Sequence, residues 1–420
     1  MREPNLSLDS FHVVPSNSRC RIAIVGFGTV GSAVARRLVG HDVGHDVGPD
    51  IGIESAAHGA PFKQLELTHI CDRRADEKRR AYAGAEVAWT TRIADILSSD
   101  ADIVVETVGG LEPATDWIRE ALLCGKSVVT ANKQVIARHG AMLLTLAARQ
   151  GRQLRFEAAV GGAMPIVRAI SDGLAGDRIL RMVGILNGTT NAVLSRMEAI
   201  GCSLQEAVAN AQARGYAEAD ASLDLDGDDA RAKLAILCAL AFGLRVDPTS
   251  IAARSASAIG AAELWAARMR GGTIRQLAYA DYNYARSVLT AWVAPVVVPR
   301  SSLFARTAGP QNAAIITGAY SGNVAITGAG AGGDATAVAV LSDLLAIARD
   351  RAAVVPAPLL SSPKIIAGFD AAEDLVGRLG RSEDRPLHDR RVGAGLQAGP
   401  KTGETVGAGH HAGLNHAEAV

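Results

Sequence analysis

Arg21-Ile22-Ala23-Ile24-Val25-Gly26-Phe27-Gly28-Thr29-Val30-Gly31 is the stretch on which the reading of this chain turns. A β-branched apolar run ends in glycine, and glycine then recurs as G-x-G-x-x-G at the head of an alanine-rich segment. A strand, a glycine turn and a helix in that order are the pattern of a dinucleotide-binding βα unit. Gly26 permits the tight turn, Gly28 lets backbone approach a pyrophosphate, and Gly31 lets helix and strand pack closely. The helix start offers unpaired N–H groups and the positive end of a dipole to the phosphates. With Phe27, Thr29 and Val30 between the glycines, these six residues are the expected phosphate loop. The same spacing would also serve a glycine turn that holds no ligand.

Downstream, strand-like runs at 65–71, 102–106 and 127–130 alternate with helical patterns at 115–124 and 138–149. Alternation of this kind predicts an α/β, Rossmann-type doubly wound parallel sheet over residues 20–150, after a polar lead-in at 1–19. Asp72 stands where the acidic ribose reader belongs, at the end of the second strand. It falls later than usual because a glycine-rich repeat, GHDVGHDVGPDIG at 40–52, intervenes. The repeat reads as an expanded surface loop; its histidines and aspartates match no metal-site spacing. Asp72 favours a free ribose, as in NAD. Arg73 and Arg74 would instead clamp a 2′-phosphate, as in NADP, or stand as ordinary solvated charges. The residues leave that choice open.

From 151 the pattern changes. Alanine-rich helical stretches at 204–214, 230–242 and 251–270 precede strand-like runs at 284–298 and 313–320. An α+β second domain is expected over 151–327. A second glycine loop at 328–333 then leads a helix at 335–349 back to the nucleotide domain, and 356–420 reads as an irregular tail.

Bulk properties narrow the function classes. The chain has 420 residues, 48% of them hydrophobic, which suffices for folded domains and excludes a wholly disordered protein. Basic and acidic residues number 43 each, so no global charge draws the chain to nucleic acid or to an anionic membrane. Five scattered cysteines form no CxxC pair, which argues against a disulfide framework and fits a reducing cytoplasm. The longest strongly apolar stretch, 234–244, is too short to span a bilayer.

Three further sets of residues carry chemistry. The first is VVETVGG at 104–110 with SVVTANK at 127–133. The second is FEAAVGGAMPI at 156–166 with NGTTN at 187–191. The third is GYAEAD at 215–220 with DLDGDDARAKL at 224–234. Lys133 lies just past a strand end, on the ligand-binding edge of an open α/β sheet. Asp229 and Lys233 are four apart on an expected helix and share a face. In isolation they would read as a surface ion pair, but the helix turns strongly apolar behind them. The acidic run is no calcium loop, because that register needs glutamate at 233 and finds lysine.

Together these motifs resemble homoserine dehydrogenase, in order, from about residue 20 to 350. The resemblance implies NAD(P)-dependent interconversion of L-aspartate 4-semialdehyde and L-homoserine in threonine, methionine and isoleucine biosynthesis. It implies Lys233, Lys133 and Asp229 as catalytic residues, and Glu218, Asp229 and Lys133 as substrate-binding. It places the cofactor along Gly26–Gly31, Asp72, Arg73, Thr107, Lys133, Gly215 and Gly333. It implies a monovalent cation, sodium, at Glu157, Val160, Gly162 and Met164, and a homodimer. The chain departs from the family pattern at Ala221, where proline is usual, and at Ala192, where an aromatic is common. It resembles the short form, since 356–420 shows no βαββαβ alternation. The rivals are a related amino-acid-carbonyl dehydrogenase and a non-catalytic dinucleotide-binding regulator, which would have no need of Lys133, Asp229 and Lys233 together.

Overall fold

The computed structural model describes residues 19–39, 62, 64–82, 86–217, 220–353 and 355–369. The repeat at 40–52, Glu218, nearly all of the lead-in and the tail beyond 369 lie outside them.

The N-terminal half is built from β1 (Cys20–Val25), α1 (Thr29–Leu38), β2 (Leu65–Cys71), α2 (Ala75–Ala81), β3 (Ala88–Thr90) and α3 (Ile93–Ser98). It continues with β4 (Ile103–Glu106), α4 (Ala114–Leu123), β5 (Ser127–Thr130), α5 (Lys133–Arg149) and β6 (Leu154–Arg155). The six strands form one parallel sheet in the order β3-β2-β1-β4-β5-β6. β4 and β5 are buried along their whole length, as strands covered by helices on both faces must be. The order reverses beside β1, where β2 lies on one side and β4 on the other. An open α/β sheet binds its ligand at such a reversal, outside the carboxyl ends of the strands.

The second half begins with α6 (Ile166–Arg168), β7 (Ile179–Ile185), α7 (Gly188–Ile200), α8 (Leu204–Ala213), α9 (Ser222–Leu225) and α10 (Asp228–Phe242). Then come β8 (Ala252–Ala253), α11 (Ala261–Met269), β9 (Gly272–Asn283), β10 (Val288–Pro299), α12 (Leu303–Arg306), β11 (Gln311–Gly318) and β12 (Gly322–Ala329). α13 (Gly333–Arg349) and β13 (Lys364–Ile366) complete the described chain. The second sheet is mixed, ordered β12-β11-β7-β9-β10-β13, with β8 paired to β10. α10 lays Leu234, Ala235, Leu237 and Cys238 into the same core as Ala278, Ala280, Ala291 and Val293 of β9 and β10.

Three expectations are corrected here. Residues 251–270 are not one helix. Gly260 starts α11, and Ser255 turns its hydroxyl to the Ser257 amide, so the preceding turn closes on itself. The strand expected at 284–298 is the second arm of a hairpin whose first arm, β9, was not foreseen. The start of the tail is not wholly irregular, because β13 adds in parallel to β10.

α13 crosses back to the first sheet. Its Ala337, Val340, Leu341, Leu344 and Ile347 share a core with Ile22 and Ile24 of β1 and with Ala33, Val34 and Ala35 of α1.

Candidate active site

The carboxyl ends of β1, β4 and β5 open onto one cleft. After β1 the backbone turns at Gly26, with φ +95°, and a Cβ there would meet the Thr107 carbonyl at 2.9 Å. At Gly31 a Cβ would lie 2.0 Å from the Gly26 oxygen, so only glycine lets α1 start so close to the turn. Above Gly28 a Cβ would meet nothing within 4 Å, which leaves clear space over that backbone for a pyrophosphate. Thr107, just past β4, donates its hydroxyl to the Gly26 oxygen at 2.7 Å. Gly333 packs on the same loop, where a Cβ would lie 2.7 Å from the Thr29 oxygen. These residues fit a dinucleotide.

Asp72 ends β2 as expected, but its carboxylate is engaged within the chain. Oδ2 accepts from the Phe27 amide at 2.8 Å and from Lys78 Nζ at 2.6 Å; Oδ1 accepts from the Arg74 amide at 2.9 Å. Burial raises its pKa, but the Lys78 ammonium and the two amides outweigh that and hold the carboxyl below its usual range. The Phe27 ring packs edge-on against Tyr82 and Trp89 and fixes the loop from its other side.

After β5, Thr130 donates to Glu106 at 2.5 Å, and Asn132 caps α5 by accepting from the Val135 amide. That cap sets Lys133 at the helix start, facing the cleft. α10 runs beside α5 and begins with Asp228 and Asp229. Lys133 Nζ lies 2.8 Å from Asp229 Oδ1, and Lys233 Nζ lies 2.7 Å from Asp229 Oδ2. Two ammonium groups from distant parts of the chain therefore meet on one buried carboxylate. Lys233 also donates to the Leu186 carbonyl at 2.8 Å. Its side chain is 12% exposed against 38% for Lys133, so Lys233 is enclosed and Lys133 stands at the mouth. Burial alone would raise Asp229; the Lys233 and Lys133 charges outweigh it and hold the carboxyl well below the usual carboxylate range.

A second carboxylate, Asp224, stands behind this pair. Asn187 Nδ2 donates to Asp224 Oδ1 at 2.7 Å and to Asp229 Oδ2 at 2.8 Å. Burial, together with the charge on Asp229, pushes Asp224 up. Neither Asn187 nor Asp224 carries a role on sequence grounds, although both stand in the motifs quoted above. Lys78 was missed outright, because a lysine on a charged helix carries no sign that its head folds back onto Asp72.

Two family models match the chain: homoserine dehydrogenase over residues 165–345, and homoserine dehydrogenase, NAD binding domain, over 26–157. The homoserine dehydrogenase of Synechocystis sp. is 38% identical over 329 residues, 78% of this chain and 73% of that one. The chain belongs to the homoserine dehydrogenase family. It is an NAD(P)-dependent oxidoreductase. Among solved structures, the homoserine dehydrogenase from Thiobacillus denitrificans matches with a TM-score of 0.74 at 31% identity, covering 83% of this chain and 80% of that one. A hyperthermophilic archaeal homoserine dehydrogenase in complex with NADPH matches at 0.63 and 26% identity, covering 81% and 99%.

The residues that the resemblance assigns to a cation lie in the segment between β6 and α6. Glu157 accepts from the amides of Val167 and Arg168 at 2.9 Å each. Gly161 and Gly162, at φ +83° and +60°, curl the chain between Val160 and Met164, and a Cβ at Gly162 would strike the Ala329 oxygen at 2.5 Å. Burial, reinforced by Asp343, pushes the Glu157 carboxyl up to about 7. A carboxylate and the backbone carbonyls of this turn are hard oxygen donors, the kind that suits a cation such as sodium. Among the described residues no cluster of three or more His, Cys, Asp or Glu forms a metal site. Gly215, at φ +72°, lies in the loop after α8, which is tied to α7 where Thr189 donates to the Tyr216 carbonyl at 2.6 Å.

Proposed function

We propose that this cleft interconverts L-aspartate 4-semialdehyde and L-homoserine, with Lys233 as the proton-transferring residue. The observation that carries the reading is the convergence of Lys133 and Lys233 on Asp229, beside the β4 and β5 strand ends. The bound nicotinamide supplies or accepts the hydride. During reduction the aldehyde carbon gains that hydride and negative charge develops on its oxygen. The Lys233 ammonium stabilises this charge and gives up one proton, which completes the alcohol; oxidation runs the same transfer backwards. Asp229 is spent on both lysines and on Asn187, so it sets where their heads stand. The substrate's own ammonium then falls to Asp224 and to Glu218, which lies outside the described residues. Lys133, at the mouth, takes the substrate carboxylate and borders the cofactor. Purified protein with L-homoserine and NADP or NAD should generate reduced cofactor; no absorbance change with either, from neutral to alkaline pH, would overturn the reading.

NADP is the preferred cofactor in this reading. Asp72 has both oxygens engaged within the chain, one of them by Lys78, and Arg73 and Arg74 follow it directly, so the turn after β2 carries cations suited to a 2′-phosphate. Lys78→Ala is expected to lower kcat/KM for NADP about tenfold and to raise the NAD/NADP ratio by at least as much. A ratio that stays put would mean the turn does not read the ribose.

Sodium belongs to the same reading, held by the Glu157 carboxylate and the carbonyls of Val160, Gly162 and Met164. The sign of its pH dependence follows from Glu157. Its folded pKa lies above the unfolded value, so stability falls as pH rises through the window ending near 7 and the buried carboxylate becomes charged. A cation offsets that cost only for the ionised form. The rise in Tm on replacing choline by sodium should therefore grow as pH passes 7, and an equal Tm in both salts at alkaline pH would exclude the assignment.

A cytoplasmic homodimer completes the proposal. All five cysteines are free, and among the described residues no helix is long and apolar enough to cross a membrane. α11 offers Trp265 and Met269, 65% and 67% exposed, as apolar surface on the second domain.

A further inference from the structure

We propose that Asn187 is a positioning residue of this site: its single side-chain amide holds Asp224 and Asp229 side by side, leaving one carboxylate for the lysines and the other for the substrate's ammonium. The inference rests on the reading of the cleft given above. Asn187 stands at the turn between β7 and α7. Its Oδ1 accepts the Thr190 amide at 2.7 Å and caps α7. That bond fixes which end of the side chain is oxygen and aims both N–H groups at the carboxylates, at 2.7 and 2.8 Å. The Thr190 hydroxyl donates to the Asp224 carbonyl at 2.9 Å and ties the same turn to α9. The neighbouring residue, Leu186, accepts the Lys233 ammonium through its carbonyl. One turn therefore sets the proton-transferring lysine and both acids.

The chemistry explains why the residue is an asparagine. Two ionised carboxylates at this separation repel, and their repulsion in a buried site is strong. A lysine or arginine bridging them would bring a third cation to a carboxylate that already holds two. A serine offers one hydrogen where two are needed. A neutral amide donates twice, adds no charge and still caps the helix. The charged groups facing Asp224 are Asp229 and Lys233 on α10 and Lys133 on α5. Of these contacts, only the Asn187 bond holds Asp224 to one orientation without competing for the substrate's ammonium.

Two variants keep the helix cap while removing the bridge. Asn187→Ser caps α7 and donates at most once; Asn187→Asp caps it at nearly the same size and donates nothing. Both are expected to lower kcat/KM for L-homoserine about 30-fold or more, with NADPH affinity within about twofold of wild type. In Asn187→Ser the acid limb of the kcat/KM profile should also move up by about one pH unit, because the serine hydroxyl, one bond shorter and held at the α7 cap, no longer reaches Asp224. An acid limb that stays in place, or losses that merely follow a drop in Tm, would overturn the proposal. If Asn187→Asp does not fold, Asn187→Ser decides. A wild-type enzyme that fails to turn over L-homoserine sinks the reading of the cleft. An active wild type matched by an equally active Asn187→Ser sinks this inference alone.

Discussion

Lys233→Ala should lose about a thousandfold or more in kcat for L-homoserine while NADPH binding stays within about twofold. Nothing else in the described site replaces it. The lysine is held from two sides, by the Leu186 carbonyl at 2.8 Å and by Asp229 at 2.7 Å, so its head cannot wander and no neighbour reaches the same point. Lys133 belongs to another helix and is fixed to the opposite oxygen of Asp229. The variant should still fold, because the buried carboxylate keeps one ammonium; losing the other costs about 3 kcal/mol, read as a lower urea midpoint. Lys233→Arg should recover stability but little turnover, since guanidinium does not release a proton at working pH. Cofactor affinity, urea midpoint and turnover measured together decide the case. If all three collapse together in Lys233→Ala, the lysine is structural and the proposed mechanism fails.

Asp229→Asn carries the second large effect. The replacement keeps the shape and removes the charge that both lysines share. Its oxygen can serve one ammonium, while its NH2 is turned on the other or on the Asn187 amide. Turnover should fall about a hundredfold or more. Two ammonium groups without an anion between them also disfavour each other's charge. Turnover of L-homoserine and NADPH affinity measured together check this loss; turnover within a few-fold of wild type would show that Asp229 does not place the lysines. The stability consequence has a definite sign. The folded pKa of Asp229 lies below its unfolded value, so its contribution is present above the unfolded pKa and is lost as pH falls through the folded one. The stability gap between wild type and Asp229→Asn should be constant from about pH 5 upward and shrink only in strong acid.

Local signals explain what could be read from the sequence. The βα unit at residues 20–38 was legible because strand, turn and helix are adjacent and each glycine has a steric reason. β4 and β5 were legible as short apolar runs. β9 was hidden because Thr273, Arg275 and Gln276 sit in its buried half. Those residues are tolerated through partners far away in sequence: Arg275 reaches Glu198 at 3.0 Å, and Gln276 donates to the Leu225 carbonyl at 3.1 Å. Periodicity cannot register such pairings. The site divides in the same way. Asp229 and Lys233 share a helix face and can be paired from their spacing, and Lys133 could be set at the sheet's ligand-binding edge, but nothing local shows that it meets Asp229 across 96 residues. Asn187 spans 37 and 42 residues to its two acids, and a bridge of that kind becomes visible only once β7, α9 and α10 are packed.

α13 gives the molecule an order of assembly. One apolar face of the first sheet is sealed by side chains some three hundred residues later in the chain, and the helix that carries them also seats Gly333 against Thr29. During synthesis the amino-terminal sheet must therefore wait, part of its interior wet, until almost the whole of the second sheet has left the ribosome. A chain stopped before residue 333 lacks both that cover and the seat on Thr29, so it is expected to hold NADPH more weakly than the full chain.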